Sequence, residues 1–258
     1  MQHGDFTALA KAYKYRPGYS IPLLRMILND LTCQVSKKNK ELAVADVGAG
    51  TGKLTENLLE LGLSLTSIEP NDAMREEGMS YVADRGNVKW QKGSGESTAL
   101  ISSSVDWLLM GSSFHWVDFN KGLAEFNRVL KSGGYFTAIW NPRNILSSEL
   151  HSGIESKIQK IVPSLKRVSS GSSGFTENLS QKLIASGYFK NVIFLEEEYN
   201  ITMSKERYMG AWHSTNDIQV QAGAEKWKEI LNMIESEIKN LPDISVPYKS
   251  RAWTAIKK

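Results

Sequence analysis

Leu42-Ala43-Val44-Ala45-Asp46-Val47-Gly48-Ala49-Gly50-Thr51-Gly52 runs from an apolar segment through an acid into three closely spaced glycines. Lys53-Leu54-Thr55-Glu56-Asn57-Leu58-Leu59 follows with helical spacing, so the whole predicts a buried strand, a tight turn and a helix start. Glycines in such a turn remove the Cβ atoms that would hold a ligand off the backbone. The first helical turn offers free N–H groups and a partial positive charge. One helix further on, Leu65-Thr66-Ser67-Ile68 predicts a second strand that ends in Glu69. A carboxylate at that place in an open parallel sheet accepts both hydroxyls of an adenosine ribose, so turn and acid together point to a nucleoside-bearing ligand.

Spacing separates the possible ligands. A triphosphate loop needs Gly-Lys-Ser/Thr after glycine and four residues, but Gly52-Lys53 is followed by Leu54 and position 47 is valine. A dinucleotide fingerprint needs its third glycine three residues after the second, where this chain has Lys53. What is left is Asp46-Val47-Gly48-Ala49-Gly50-Thr51-Gly52, which resembles motif I of the class I S-adenosylmethionine-dependent methyltransferases. Val105-Asp106-Trp107-Leu108-Leu109-Met110 as a fourth strand, and Arg128-Val129-Leu130-Lys131-Ser132-Gly133-Gly134-Tyr135-Phe136 as helix end, turn and fifth strand, follow in that family's order. Phe114-His115-Trp116, and Tyr13 with Tyr15-Arg16-Pro17, are similar to a small-molecule subset that includes trans-aconitate methyltransferase-like proteins. The likeness covers roughly residues 10 to 140.

The resemblance implies a cofactor, S-adenosylmethionine, and a set of residues to hold it. Asp46, Gly48, Ala49, Gly50, Thr51 and Gly52 would surround the methionine portion, and Glu69 the ribose. Pro70, Asn71 and Met74 would border the adenine, with Gly95 and Glu96 beside its amino group, although Gly95 stands where a small side chain is expected. Ser112 and Phe114 would lie where strand four opens toward the methyl group. Segments like the one before the first strand fold over the cofactor as a lid in this family, with Arg16 then pairing with the cofactor carboxylate. Tyr13, Tyr15, Tyr19, Trp116 and Arg143 would meet the substrate. His115 follows strand four at the ligand edge of the sheet, which makes it the candidate general base or else a pocket wall. No dedicated triad is required, because aligning a nucleophile with an activated methyl supplies most of the rate.

Composition fits one soluble enzyme domain of 258 residues, with a core large enough for an accessory element. A net charge of +3, from 31 basic and 28 acidic residues, gives no electrostatic footprint for nucleic acid. The single cysteine, Cys33, rules out an internal disulfide, and no apolar run approaches a membrane span. The amino terminus lacks a basic-then-apolar signal pattern, so a cytoplasmic location is the expectation. His3, His115, His151 and His213 are dispersed, and no metal site is expected.

Alternating strand and helix signals predict an α/β fold: a doubly wound, mostly parallel, seven-stranded Rossmann-like sheet in a single domain over 1–258. Lid helices are expected over about 1–40 and a helical cap over about 145–180, with Ser169 to Gly174 as a loop. Strands are expected at about 42–47, 64–69, 88–91, 105–110, 135–140 and 192–198, and the resemblance makes the last strand, around 251–256, antiparallel. Asn71 or Asp72 should cap one helix, Asn120 another that Gly133-Gly134 stops, and an amphipathic helix should span 224–238. The function expected is methyl transfer to a small molecule bearing a carboxylate, hydroxyl or ring carbon, by a monomer or homodimer that binds neither nucleic acid nor membrane. Two other functions use the same cofactor site: a noncatalytic S-adenosylmethionine-binding regulator, and a nucleic-acid or protein methyltransferase.

Overall fold

The structure, a computed structural model, describes Thr7 and residues 10–166 and 174–258. The serine-rich stretch expected to be a loop lies, but for Gly174, outside them. Seven strands form one sheet in the order β3-β2-β1-β4-β5-β7-β6. They are β1 (Val44–Val47), β2 (Leu65–Ile68), β3 (Val88–Gln91), β4 (Val105–Gly111), β5 (Leu130–Trp140), β6 (Phe189–Met203) and β7 (Ile244–Lys257). β1 pairs in parallel with β2 and β4, in register Val44↔Leu65 and Val44↔Trp107, and β4 pairs in parallel with β5. β7 pairs antiparallel with β5, as expected for the last strand. The order reverses at β1, so the carboxyl ends of β1 and β4 flank a switch point where open α/β sheets bind ligands.

The strand sequences explain this burial. Every residue of β1 is buried, which suits a central parallel strand covered on both faces. In β4, Trp107 and Leu109 enter one core while Leu108 and Met110 enter the other; in β5, Tyr135 and Ile139 oppose Phe136, Ala138 and Trp140. That two-residue alternation builds two apolar layers from one sheet. The helices are α1 (Ala10–Tyr13), α2 (Ile21–Val35), α3 (Lys53–Glu60), α4 (Asp72–Val82), α5 (Phe119–Val129), α6 (Glu149–Ile161), α7 (Leu179–Ala185), α8 (Lys205–His213) and α9 (Asn216–Ile238), of which α2, α3, α4, α5 and α7 bury residues in these two layers. α2 begins where the Ser20 side chain accepts from the Leu23 N–H, with Pro22 in its first turn, and it buries Leu24, Leu28 and Leu31 against the sheet layer.

Some boundaries differ from expectation. The cap of α5 is Asp118, whose carboxylate accepts from the Lys121 N–H, and Asn120 lies inside the helix. Gly133 and Gly134 do not stop a helix; α5 ends at Val129 and both glycines lie within β5, Gly133 with φ of +75° beside a register shift in β4. α9 starts at Asn216, and its backbone breaks at Gly223, so the expected 224–238 helix is its second part.

The chain divides into two compact units: Met1–Pro17, Pro142–Ser169 and Glu198–Lys249 form unit 1, and the remainder forms unit 2. Unit 1 has its own apolar core, with Ile154 and Ile158 of α6, Tyr208 and Trp212 of α8, and Ile230 and Ile234 of α9 all buried. It draws on three separated segments, of which the expected 145–180 cap supplies only one. No helix among the described residues is long and apolar enough to cross a membrane, and no cluster of three or more metal-ligating side chains occurs among them.

Candidate active site

The glycine turn of unit 2 has the backbone its sequence implied. Gly48, Gly50 and Gly52 take φ of +69°, +56° and +80°, a left-handed region that penalises any Cβ. A Cβ on Gly48 would also stand 2.7 Å from Ser113. Gly52 is the residue ahead of α3 and supplies no capping side chain, so the helix start is left for a ligand. The Gly48 and Ala49 N–H groups donate to the Ile68 carbonyl, which ties the turn to the end of β2.

Two acids sit at these strand ends in different states. Glu69 is clamped: Oε2 accepts from the Gly50 N–H at 2.9 Å and Oε1 from the Asn71 N–H at 2.9 Å. Burial raises its pKa and the two N–H groups oppose the rise. Each oxygen keeps a lone pair for a ribose hydroxyl. Asp46 is fully buried, and only Oδ2 is satisfied, by the Thr55 hydroxyl at 2.7 Å. Oδ1 makes no hydrogen bond, and desolvation, with a contribution from the Glu69 charge, pushes the carboxyl up to about 7. Thr51 Oγ1, in the same turn, is also buried without a partner. Orphaned acceptors beside an open helix start fit a ligand that carries an ammonium group next to its carboxylate, as S-adenosylmethionine does.

The other expected residues fall into several groups. Met74 is buried, its methyl 3.4 Å from where a Gly50 Cβ would stand, and it supports the turn from beneath. Asn71 caps α4 through Oδ1, which occupies that atom, and Pro70 is exposed beside it. Gly95 is buried with Val117 only 2.4 Å from a would-be Cβ, which explains why no side chain stands there. Glu96 turns one carboxylate oxygen to the Asp118 N–H at 2.8 Å; burial works against its ionisation, but that N–H and Ser94 outweigh it and lower its pKa. Phe114 is fully buried with its ring against Phe119, Phe126, Phe136 and Phe175, so only its backbone is left to face a ligand. Trp116 is 48% exposed.

Ser112, directly after β4, has φ of +52°, a rare conformation for a residue with a Cβ, and its Oγ accepts from the Tyr19 hydroxyl at 3.0 Å. Gly111 makes room for that contact, since a Cβ there would lie 2.7 Å from the Tyr19 oxygen. Tyr19 is itself fixed at the backbone, its N–H donating to Asn57 of α3 at 2.7 Å. Asn141 Nδ2 donates to the Gly18 carbonyl, and Ser250 Oγ both accepts from the Ser20 N–H and donates to Asn141. Sequence reading missed Asn57, Thr55 and Ser250; polar residues at 55 and 57, within the apolar stripe of α3, were the one available signal.

The amino-terminal cluster divides between the units. Tyr13, Tyr15 and Arg16 belong to unit 1, where the Arg16 guanidinium donates to Ser214 Oγ and to the Ser214 carbonyl at 2.7 Å each, and lies 4.1 Å from the Tyr13 ring. Ser214 caps the carboxyl end of α8, so Arg16 satisfies a helix carboxyl terminus. Tyr15 lies flat on Gly210 of the same helix. Arg143 is also in unit 1, its guanidinium 4.1 Å from the Trp212 ring.

His115 is half-buried between Trp116 and Trp140. The Trp140 indole N–H donates to His115 Nδ1 at 3.3 Å. An indole nitrogen can only donate, so a neutral His115 carries its proton on Nε2.

Residues 45–138 match the family profile described as a methyltransferase domain. An uncharacterized methyltransferase of Mycobacterium tuberculosis is 37% identical over 105 residues, 39% of this chain and 40% of the relative. One from Schizosaccharomyces pombe is 31% identical over 143 residues, 54% of this chain and 52% of the relative. The chain thus spans about two-fifths to half the length of these curated relatives. A putative type II methyltransferase from Anaeromyxobacter dehalogenans shares the fold, with a TM-score of 0.60 at 17% identity over 93% of this chain and 97% of that one. Strand order, the glycine turn with its two acids, and the matched profile agree: residues 45–138 match a methyltransferase domain, set in a Rossmann-like sheet of the kind that methyltransferases use.

Proposed function

We propose that this protein moves a methyl group from S-adenosylmethionine to a small-molecule acceptor, with carboxylate oxygens first among the candidate nucleophiles. The observation that carries the reading is the unsatisfied Oδ1 of fully buried Asp46 beside the glycine turn. A buried carboxylate held near neutrality costs several kcal/mol unless a cation completes it, and an α-ammonium does so. Glu69 takes the ribose diol, while Gly48 and Gly50 let the ligand lie against bare backbone. When bound, the cofactor supplies a methyl group already activated by its sulfonium.

The chain's own part is then alignment. Ser112 and Tyr19 form a hydrogen-bonded pair just after β4, where Ser112 takes a left-handed backbone. His115 accepts from the Trp140 indole at Nδ1, so in its neutral form its proton is on Nε2. A carboxylate acceptor is already ionised at neutral pH and needs no proton removed, so the reading requires no general base.

Calorimetry with S-adenosylmethionine tests the reading. Wild-type protein should bind it with one site, and Asp46→Asn should weaken binding by about 10- to 100-fold, the loss of one charge-assisted contact. Labelled cofactor with small-metabolite extracts should then label a low-molecular-weight acid. Absence of binding, or undiminished binding by Asp46→Asn, would overturn the cofactor assignment; label appearing only in protein or nucleic acid would overturn the acceptor class.

A further inference from the structure

Unit 1 contains a second set of unsatisfied buried polar atoms, remote in sequence from the glycine turn. His151 Nε2 on α6, and Tyr208 Oη and Trp212 Nε1 on α8, are buried with no hydrogen-bond partner within 3.5 Å, and Trp212 and Tyr208 interact with each other only more loosely. Their side chains are neighbours: the His151 and Tyr208 rings are 5.8 Å apart, and those of Tyr208 and Trp212 6.2 Å. Arg143 joins them, its guanidinium 4.1 Å from the Trp212 ring and 6.0 Å from that of Tyr208.

The backbone of Arg143 is held rigidly. It forms a bridge with Tyr248, flanked by Asn144 N–H to the Pro247 carbonyl and Lys249 N–H to the Pro142 carbonyl, each 2.9 Å. Its side chain interacts with the Tyr248 hydroxyl and is attracted by Glu155, yet it forms no ion pair among the described residues. The residue keeps partial solvent exposure while its guanidinium lies against aromatic rings.

The chemistry of these groups is one-sided. Trp212 Nε1 and Arg143 can only donate, and the Tyr208 hydroxyl can donate to an anion. Ser148 Oγ lies 2.8 Å from His151 Nδ1; when that hydroxyl donates, the ring proton is on Nε2 and His151 becomes a further donor. Each orphaned buried donor costs about 1–3 kcal/mol, and three of them around one cation give a site short of an acceptor. One positive charge matches one negative charge, and a planar guanidinium matches a carboxylate's two oxygens. The surroundings are apolar, including Ile154, Ile158 and Ile218.

We propose that Arg143, Tyr208, Trp212 and His151 form a binding site for the carboxylate of a small, mainly apolar acid. All four residues belong to unit 1, and the proposal is tested independently of the methyl-transfer reading.

Tryptophan labelled with ¹⁵N at the indole nitrogen reports directly on Trp212 in the full chain, and a Trp212→Phe variant identifies its cross-peak. Benzoate and hexanoate should move that peak saturably, whereas benzamide and inorganic phosphate should leave it in place. Arg143→Gln should weaken the response at least about tenfold and Arg143→Lys by less, because only the charge survives in lysine. Tyr208→Phe should weaken it about three- to tenfold with little change in Tm, since it deletes a hydroxyl that has no hydrogen-bond partner within 3.5 Å in the free protein. That pairing separates a ligand site from a merely structural cluster, in which Tyr208→Phe would lower Tm. The proposal is overturned if the peak stays still well above about 1 mM carboxylate, if benzamide moves it equally, or if folded Arg143→Gln responds like wild type. Binding of S-adenosylmethionine, measured on the same samples, reports separately on the glycine turn.

Discussion

Asp46 and Glu69 are both acids at strand ends, and sequence spacing named both, but it could not say that they differ in what they lack. Glu69 has two backbone donors within three residues of its own position or across the turn; Asp46 has one hydroxyl, from Thr55, and an empty oxygen. The difference is set by side-chain direction in the folded core, which a one-dimensional pattern does not carry. His115 shows the same limit. Its place after β4 was legible, whereas its proton position depends on Trp140, 25 residues later. With Nδ1 engaged, we expect His115→Gln, which retains an N–H donor, to stay within about threefold of wild-type kcat/KM, and His115→Ala to fall about tenfold, the worth of one hydrogen bond. Methyl transfer to the identified acceptor measures both. Equal losses in the two variants, with a wild-type rate that climbs through the histidine range and is flat in His115→Gln, would restore the role of base.

At the scale of elements, β1, the turn and α3 were legible because their causes are local: both faces of β1 are buried, and three positive-φ positions are glycine. The α5 start was misplaced by two residues because Asp118 and Asn120 are both good caps, and only the observed Lys121 N–H decides between them. β6 was read short because its side chains alternate between exposed and half-buried along most of its length, leaving little apolar pattern beyond its centre. Asn57 is an element-scale residue, since it joins α3 to the segment before α2 through the Tyr19 N–H. Gly18 has no Cβ because one would stand 2.4 Å from the Asn57 side chain. Asn57→Ala should leave that N–H unpaired and cost about 1–3 kcal/mol, lowering Tm by roughly 2–4 °C for each kcal/mol. It should also weaken S-adenosylmethionine binding, because Tyr19 positions Ser112. Thermal melts and calorimetry on one sample check both parts, and a stable variant with full affinity would show that this clamp does not matter.

Across the whole molecule, unit 1 was the least legible part, because it is assembled from segments far apart in the chain, such as Tyr15 against Gly210 of α8. Its buried histidine and the buried acid of unit 2 nevertheless give the protein a pH signature that can be worked out. Burial, helped by the Arg143 charge, lowers His151 from 6.5 to about 4. A depressed pKa contributes stability that is present above 6.5 and is lost as pH falls through 4. Asp46 has the opposite sign: raised from 3.8 to about 7, it contributes stability present below 3.8 and lost as pH rises through 7. The two oppose each other across the acidic range, and from about pH 6.5 upward only the Asp46 effect still changes. Tm of the free protein should therefore decline between about pH 6.5 and 8, and that decline should vanish in Asp46→Asn. A ligand ammonium beside Oδ1 favours the ionised acid, so binding releases a proton near neutrality. The Tm increase produced by S-adenosylmethionine should accordingly be larger at about pH 8 than at about pH 6 in wild type, and equal at both in Asp46→Asn. Scanning fluorimetry across that range measures it, and a ligand-induced shift independent of pH in the wild-type protein would detach Asp46 from the cofactor.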